Sequence, residues 1–298
     1  MTYVDLHTHS TYSDGLLTPD ALCALAVRKH VTLLALCDHD TTEGLVHMAE
    51  AVRAQAERGA SLALIPGVEL SAGADGRTHI LGYGVRADAT PLNDALAALR
   101  AKRAARGGQM VAALAAMGVQ VPPALVPKAQ AGGMAIGRPH LARALIRMGL
   151  VSTVEQAFAR YLGEGRPAYV PLAHFSAAEA IALLGACGAL PVLAHPARLH
   201  MPAQTLEALV ASLKGVGLMG LEVYHPSASR GDVRQLAAMA LRHGLLVTGG
   251  SDFHGDAGSR ARLGGLPAGW RHCEADVEAL QAAVAQASAV YATLGAPA

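Results

Sequence analysis

Seven short apolar runs recur along the 298 residues, and each carries histidine or carboxylate side chains at or beside one end. The first opens the chain and leads through Asp5 into His7-Thr8-His9-Ser10, with Asp14 soon after. The run 33–37 leads into Asp38-His39-Asp40, the run 62–68 into Glu69, and the run 78–81 contains His79. Further on, 190–194 leads into His195-Pro196, 218–224 into His225-Pro226, and 245–250 into Ser251-Asp252-Phe253-His254. Runs of this length read as buried strands. Side chains alternate along a strand, so His7 and His9 project to the same side and can grip one metal ion. Where parallel strands alternate with helices, polar groups at strand ends form active sites.

Helix signals fill most of the intervals. Thr18-Pro19-Asp20 supplies an N-cap, a proline for the first helical position and an acid in the first turn. Ser176 and Glu179 form a capping box, while Gly59, Gly188 and Gly244 follow helical runs where a left-handed C-cap is wanted. Glu69 and His79 lie too close together for a helix between their strands. The expected fold is therefore α/β, a distorted seven-stranded barrel of βα units.

Composition narrows the functional classes. Hydrophobic residues make up 52% and charged residues 16%, ample for a buried core. No uninterrupted apolar run reaches the ~18 residues of a transmembrane helix. The metal motif beginning at Asp5 leaves no room for a signal peptide, so a cytoplasmic protein without a membrane partner is expected. Cys23, Cys37, Cys187 and Cys273 are far apart and form no CxxC pair, which fits reduced thiols rather than a disulfide framework or a zinc–thiolate site. Aromatic residues are only 4%, too few for the stacking platforms of a long single-strand binder, and duplex DNA is not an expected partner. There is no GxGxxG turn of dinucleotide-binding type, opening a helix after a strand, and no Walker A sequence.

The net charge of +1 conceals an asymmetry: residues 95–170 hold ten basic side chains against two acids, +8, leaving −7 elsewhere. This stretch is far longer than an ordinary βα connection, so 95–170 reads as an inserted, mainly helical cap domain on a barrel made of 1–94 and 171–298. A solvated basic face is the plainer alternative. Gly137-Arg138-Pro139-His140 favours a binding role, because a proline at a helix start gathers Arg138, His140 and backbone amides at one N-terminus, where phosphate is attracted. Arg138 and Arg160 are the expected phosphate clamps, since a guanidinium binds phosphate bidentately, with His140 and Lys128 as weaker contacts. A small phosphorylated substrate, or the end of a nucleic acid, is what this charge and the low aromatic content suggest.

The ordered set from Asp5 to His254 resembles the polymerase and histidinol phosphatase (PHP) family. The resemblance implies a distorted (β/α)7 barrel with three metals. His7, His9, Glu69 and Asp252 would hold one metal; Glu69, His79 and His195 a second; Asp14, His39 and His254 a third. Arg138-Pro139-His140, Tyr161-Leu162-Gly163 and Tyr224-His225-Pro226 further resemble the nucleotide phosphatases of that family, which take the 3′-phosphate from nucleoside 3′,5′-bisphosphates; relatives degrade short RNA from its 5′ end.

A nitrogen and oxygen ligand set suits Mn²⁺ first, with Zn²⁺ or Fe²⁺ as alternatives. The expected reaction is attack of a metal-bound hydroxide on phosphorus, with no protein nucleophile. The catalytic set is His225, His195 and Asp252, with His225 placed to contact substrate or protonate the leaving oxygen. Alternatives are histidinol phosphatase, an amidohydrolase, which would want a lysine at a strand end, and a noncatalytic metal-binding module.

Overall fold

A computed structural model describes residues 3–73, 76–126, 136–171, 174–255, 261–265 and 274–294. The seven strands are β1 (Tyr3–Thr8), β2 (Val31–Leu36), β3 (Ala63–Ala72), β4 (Thr78–Tyr83), β5 (Leu190–Leu193), β6 (Gly220–Tyr224) and β7 (Leu246–Gly249). They form one sheet in sequence order. β1 to β3 are parallel and so are β5 to β7, but β4 runs antiparallel to both of its neighbours. The architecture is thus α/β on a mixed sheet, not a uniform run of βα units. The reversal at β4 has a functional consequence: His79, near the start of β4, comes to the end of the sheet that β3 reaches near Glu69, and Ser71 pairs in register with His79.

Helices α1 (Pro19–Arg28) and α2 (Gly44–Ala56) follow the first two strands, and α6 (Ala177–Ala186), α7 (Ala203–Gly215), α8 (Arg230–His243) and α9 (Glu274–Leu294) accompany the later ones. Their ends follow local chemistry. Thr18 Oγ1 accepts the Ala21 N–H at the start of α1. Ser176 and Glu179 exchange hydrogen bonds of 2.7 and 3.1 Å at the start of α6, and Ser229 with Asp232 does the same for α8. Gly244 ends α8 at φ +58°, which glycine adopts without a Cβ penalty. Within the sheet Leu6, Leu33, Ala35, Ile65, Leu81, Tyr83 and Val192 form a core closed by Leu280 of α9. Each such buried aliphatic side chain contributes about 1.5–3 kcal/mol.

The chain divides into two compact units, residues 1–94 with 174–298, and residues 95–173. The described elements of the second are helical: most of α3 (Thr90–Ala116), α4 (Arg138–Arg147) and α5 (Val154–Ala157), which continues as a π-turn over Phe158–Leu162. Met110, Leu114, Leu141, Leu145, Ala157 and Leu162 give this unit a core of its own. Among the described residues no helix is long and apolar enough to cross a membrane.

Candidate metal centre

One end of the sheet is filled with polar side chains that water does not reach. Asp5, His7, His9, Glu69, Glu222 and Ser251 are at most 1% exposed. Burying so much polarity is costly unless every group is paired, and backbone and side chains of neighbouring strands supply many of the pairs. Asp5 accepts from Ser251 N, Ser251 Oγ and Gly264 N, tying the segment after β7 to β1. In the same region a side chain at Gly250 would overlap His7, so only glycine lets this segment approach β1 so closely. The backbone adds a parallel bridge between Thr8 and Phe253 and a His9 N–H to Phe253 O bond of 3.0 Å. Asp38 is buried and accepts from Ser10 N, Ser10 Oγ and Ser13 Oγ, each at 2.7 Å.

Three overlapping groups of potential ligand atoms stand above this floor: His7, His9, Glu69 and Asp252; His39, Glu69 and His79; and His9, Asp14, His39 and His254. The ligand atoms within each group lie within 4.8 Å of one another. His195 belongs to none of the three, although its Nε2 is 2.9 Å from Glu69 Oε1, the oxygen that His79 Nδ1 also approaches at 2.8 Å. The nine residues expected to hold metal thus gather in one region, with both His39 and His195 beside Glu69. Glu69 sits within β3, which continues to Ala72, rather than at its end.

Several of these atoms have no hydrogen bond although they are buried: His7 Nε2, both ring nitrogens of His9, His39 Nδ1, Glu69 Oε2 and His195 Nδ1. Buried polar atoms are normally satisfied. Lone pairs gathered this way, all nitrogen and oxygen, fit divalent transition metals. Ring tautomers agree. His7 Nδ1 faces Glu222 at 3.0 Å, His254 Nδ1 faces the Asp252 carbonyl at 2.8 Å, and His79 Nε2 faces the Gly76 carbonyl at 3.2 Å. Each of those partners is an acceptor, so that nitrogen can keep a proton while the other one, which faces the carboxylates of the cluster, is the one a metal would take. His225 is the reverse: its Nδ1 accepts the Ser227 N–H at 3.1 Å, which puts the proton on Nε2, 3.5 Å from Asp252 Oδ2. It is thereby a donor facing the pocket and not a ligand.

Charge follows position. Burial opposes the Glu69 carboxylate, but His39, His7 and His79 outweigh it and hold Glu69 well below the usual range. Asp252 is likewise lowered, burial being overcome by His7, His225 and His9. His7 is raised well above its ordinary value because Glu222, Glu69 and Asp252 overcome its burial. His39 and His195 are lowered by burial itself. At the rim, where burial also works against the charge, Asp14 raises His254 to about 9.

An open cavity of about 520 Å³ lies over the cluster, lined by Asp14, His39, His79, His195, His225 and Asp252 together with Arg198. The sequence reading missed Arg198, whose Nη1 donates to Asp252 Oδ2 at 2.8 Å while the guanidinium stays half-exposed. It sits in the 3-10 turn Pro196–Leu199 just after His195. Arg138 and Arg160 lie in the other unit and have partners there: Arg138 is over the rings of Phe158 and Tyr169 at 5.4 and 5.8 Å, and Arg160 is over Tyr161 while donating to Leu150 O. His140 Nδ1 accepts the Gly137 N–H at the start of α4. Lys128 lies outside the described residues. Glu222 also escaped the sequence reading; a single acid inside the apolar strand Leu221-Glu222-Val223 was its signal.

Residues 5–114 match the family model described as the PHP domain. The chain is 37% identical over 255 residues to the 3′,5′-nucleoside bisphosphate phosphatase of Chromobacterium violaceum, covering 85% of this chain and 88% of that one. It is also 37% identical over 253 residues to the 5′-3′ exoribonuclease Rnm of Escherichia coli, covering 84% of each. Among solved structures, a metal-dependent phosphoesterase from Bifidobacterium adolescentis superposes with a TM-score of 0.73 at 29% identity, covering 95% of this chain and 96% of that one.

Proposed function

The chain belongs to the PHP family and is a metal-dependent phosphoesterase, and we propose that it removes the 3′-phosphate from nucleoside 3′,5′-bisphosphates. The observation that carries this reading is the convergence of unsatisfied histidine and carboxylate atoms in three overlapping groups beneath an open pocket. Of the serines lining that pocket, Ser251 has its hydroxyl committed to the buried Asp5. We read the sheet, with its Thr8–Phe253 bridge, as a distorted barrel, and residues 95–170 as an inserted helical domain.

Up to three ions of Mn²⁺, Zn²⁺ or Fe²⁺ would be held by His7, His9, Asp14, His39, Glu69, His79, His195, Asp252 and His254. Bound there, divalent metals lower the pKa of water toward neutrality and neutralise phosphoryl oxygens. The protein's own part is orientation and charge. His225 offers its Nε2–H to the substrate, held in that tautomer by the Ser227 backbone. Arg198, which lies in the pocket lining itself, is a cation we assign to a substrate phosphate, in addition to Arg138 and Arg160 of the other unit.

A panel of phosphate esters, run with Mn²⁺-loaded protein in ¹⁸O water, tests the reading. Labelled inorganic phosphate and a 5′-mononucleotide from a nucleoside 3′,5′-bisphosphate are expected. Release of a 3′-mononucleotide would reverse the assigned orientation. The identity to the exoribonuclease, equal to that with the phosphatase, supports a second reading, stepwise hydrolysis from an RNA 5′ end; higher kcat/KM on short 5′-phosphorylated RNA would select it. On the preferred substrate Arg198→Ala should cost about 10- to 100-fold in kcat/KM, the worth of a charge-assisted contact of about 1.5–3 kcal/mol. An unchanged value would remove Arg198 from the site.

A further inference from the structure

Glu222 is a fully buried carboxylate on β6, with no place in the ligand groups, yet it touches two residues that the proposed chemistry needs. Its Oε1 is 3.0 Å from His7 Nδ1 on β1, and its Oε2 accepts the backbone N–H of His195 at 2.7 Å, just past β5. An ionised carboxylate can only accept, so Nδ1 keeps its proton and Nε2 is the nitrogen left for a metal. That nitrogen lies 3.2 Å from Glu69 Oε2 and 3.6 Å from Asp252 Oδ1, among the atoms of the deepest ligand group. His195 has φ +28° and ψ 55°, a backbone conformation that L residues rarely adopt and that persists only where the surroundings fix it. The second oxygen of Glu222 supplies that constraint.

We propose that Glu222 is a positioning residue, one carboxylate that fixes the tautomer of His7 and the backbone of His195 together and so sets how tightly the deep group, His7, His9, Glu69 and Asp252, holds its metal. The proposal rests on the metal-binding reading above. Its physical content is pre-organisation: without Glu222 the His7 ring can protonate on Nε2 or rotate, and metal binding must first reverse this. Outer partners of ligating histidines commonly matter by 10- to 100-fold in metal affinity.

Glu222→Gln keeps the shape but leaves one acceptor oxygen and an amide that can only donate, so it can serve His7 or His195 and not both. Mn²⁺ affinity and stoichiometry of wild type and variant, measured by chelator competition on purified protein, should show the tightest site weakened about 10- to 100-fold. Melting of the metal-free proteins, run beside it, separates a structural effect, because a purely structural Glu222 would lower Tm and leave the affinity of the folded protein unchanged. That outcome overturns the proposal. If Glu222→Gln does not fold, ¹⁵N spectra of histidine-labelled wild type loaded with Zn²⁺ decide: a His7 ligated through Nε2 with its proton kept on Nδ1 supports the proposal, and one ligated through Nδ1 overturns it. A wild-type protein that binds no metal at all would instead overturn the metal-binding reading beneath it.

Discussion

The floor and the rim of the ligand cluster are built differently. On the floor, His7, His9 and Glu69 are fully buried, stand on or just beyond β1 and β3, and are braced by carboxylates such as Glu222 that are themselves buried. At the rim, Asp14 and His254 come from turns, their side chains 51% and 26% exposed, and they hold each other at 3.1 Å. His9 and His39 join the two regions, since each appears in a floor group and in the rim group. The difference teaches that a position set by sheet registry is fixed before a metal arrives, whereas one set by a turn can still move. The floor should therefore behave as a tight, permanent site and the rim as a weaker, exchangeable one.

Glu69 gives the sharpest break. It belongs to both groups on the floor side, and the histidines around it stabilise its charge. Glu69→Gln should strip the metals of both groups and cost at least about 4 kcal/mol in kcat/KM, roughly three orders of magnitude. Elemental analysis with steady-state kinetics checks this, and a variant retaining full metal content would show that Glu69 is not shared.

Asp14→Asn should cost less, about 10- to 100-fold in kcat/KM, with metal content falling by about one ion and the tighter sites kept. Asp14 is the single carboxylate of the rim group, and half its side chain already faces solvent. If metal titration showed all ions lost together, floor and rim would be one cooperative unit and the distinction would fail.

Much of this cluster was legible in the sequence because its residues lie at strand boundaries, where apolar runs break off into histidines and acids. The spacing of His7 and His9 alone placed both on one face. What stayed hidden depends on strands being side by side. Glu222 acquires meaning only when β6 lies near β1 and β5. Similarly, Asp38 flanks His39 in the sequence, but its buried hydrogen bonds from Ser10 and Ser13 show only once the chain is folded. The antiparallel setting of β4 was not written in its apolar pattern, which reads the same in either direction, although the lack of room for a helix before His79 was visible. Arg198 lay in a connection with no periodicity to mark it. Arg138 and Arg160 stood out through local charge, while their stacking on the rings of their own unit shows only in the structure.

The smallest effect tests the rim through protons. In metal-free protein Asp14 raises His254 to about 9, against an ordinary value near 6.5. Because the folded value is the higher one, the pair's contribution to stability is fully present below about pH 6.5 and is lost as pH climbs through about 9. Solvent exposure of Asp14 limits this contribution to about 1 kcal/mol or less, roughly 2–4 °C in Tm for a chain of this size. Thermal melts of metal-free protein should therefore show Tm falling between pH 6.5 and 9, and His254→Gln should flatten that slope while leaving the floor's pH response untouched. An unflattened slope in the variant would assign the response to the buried histidines, and the rim would then be no more independent of the floor than any other part of the cluster.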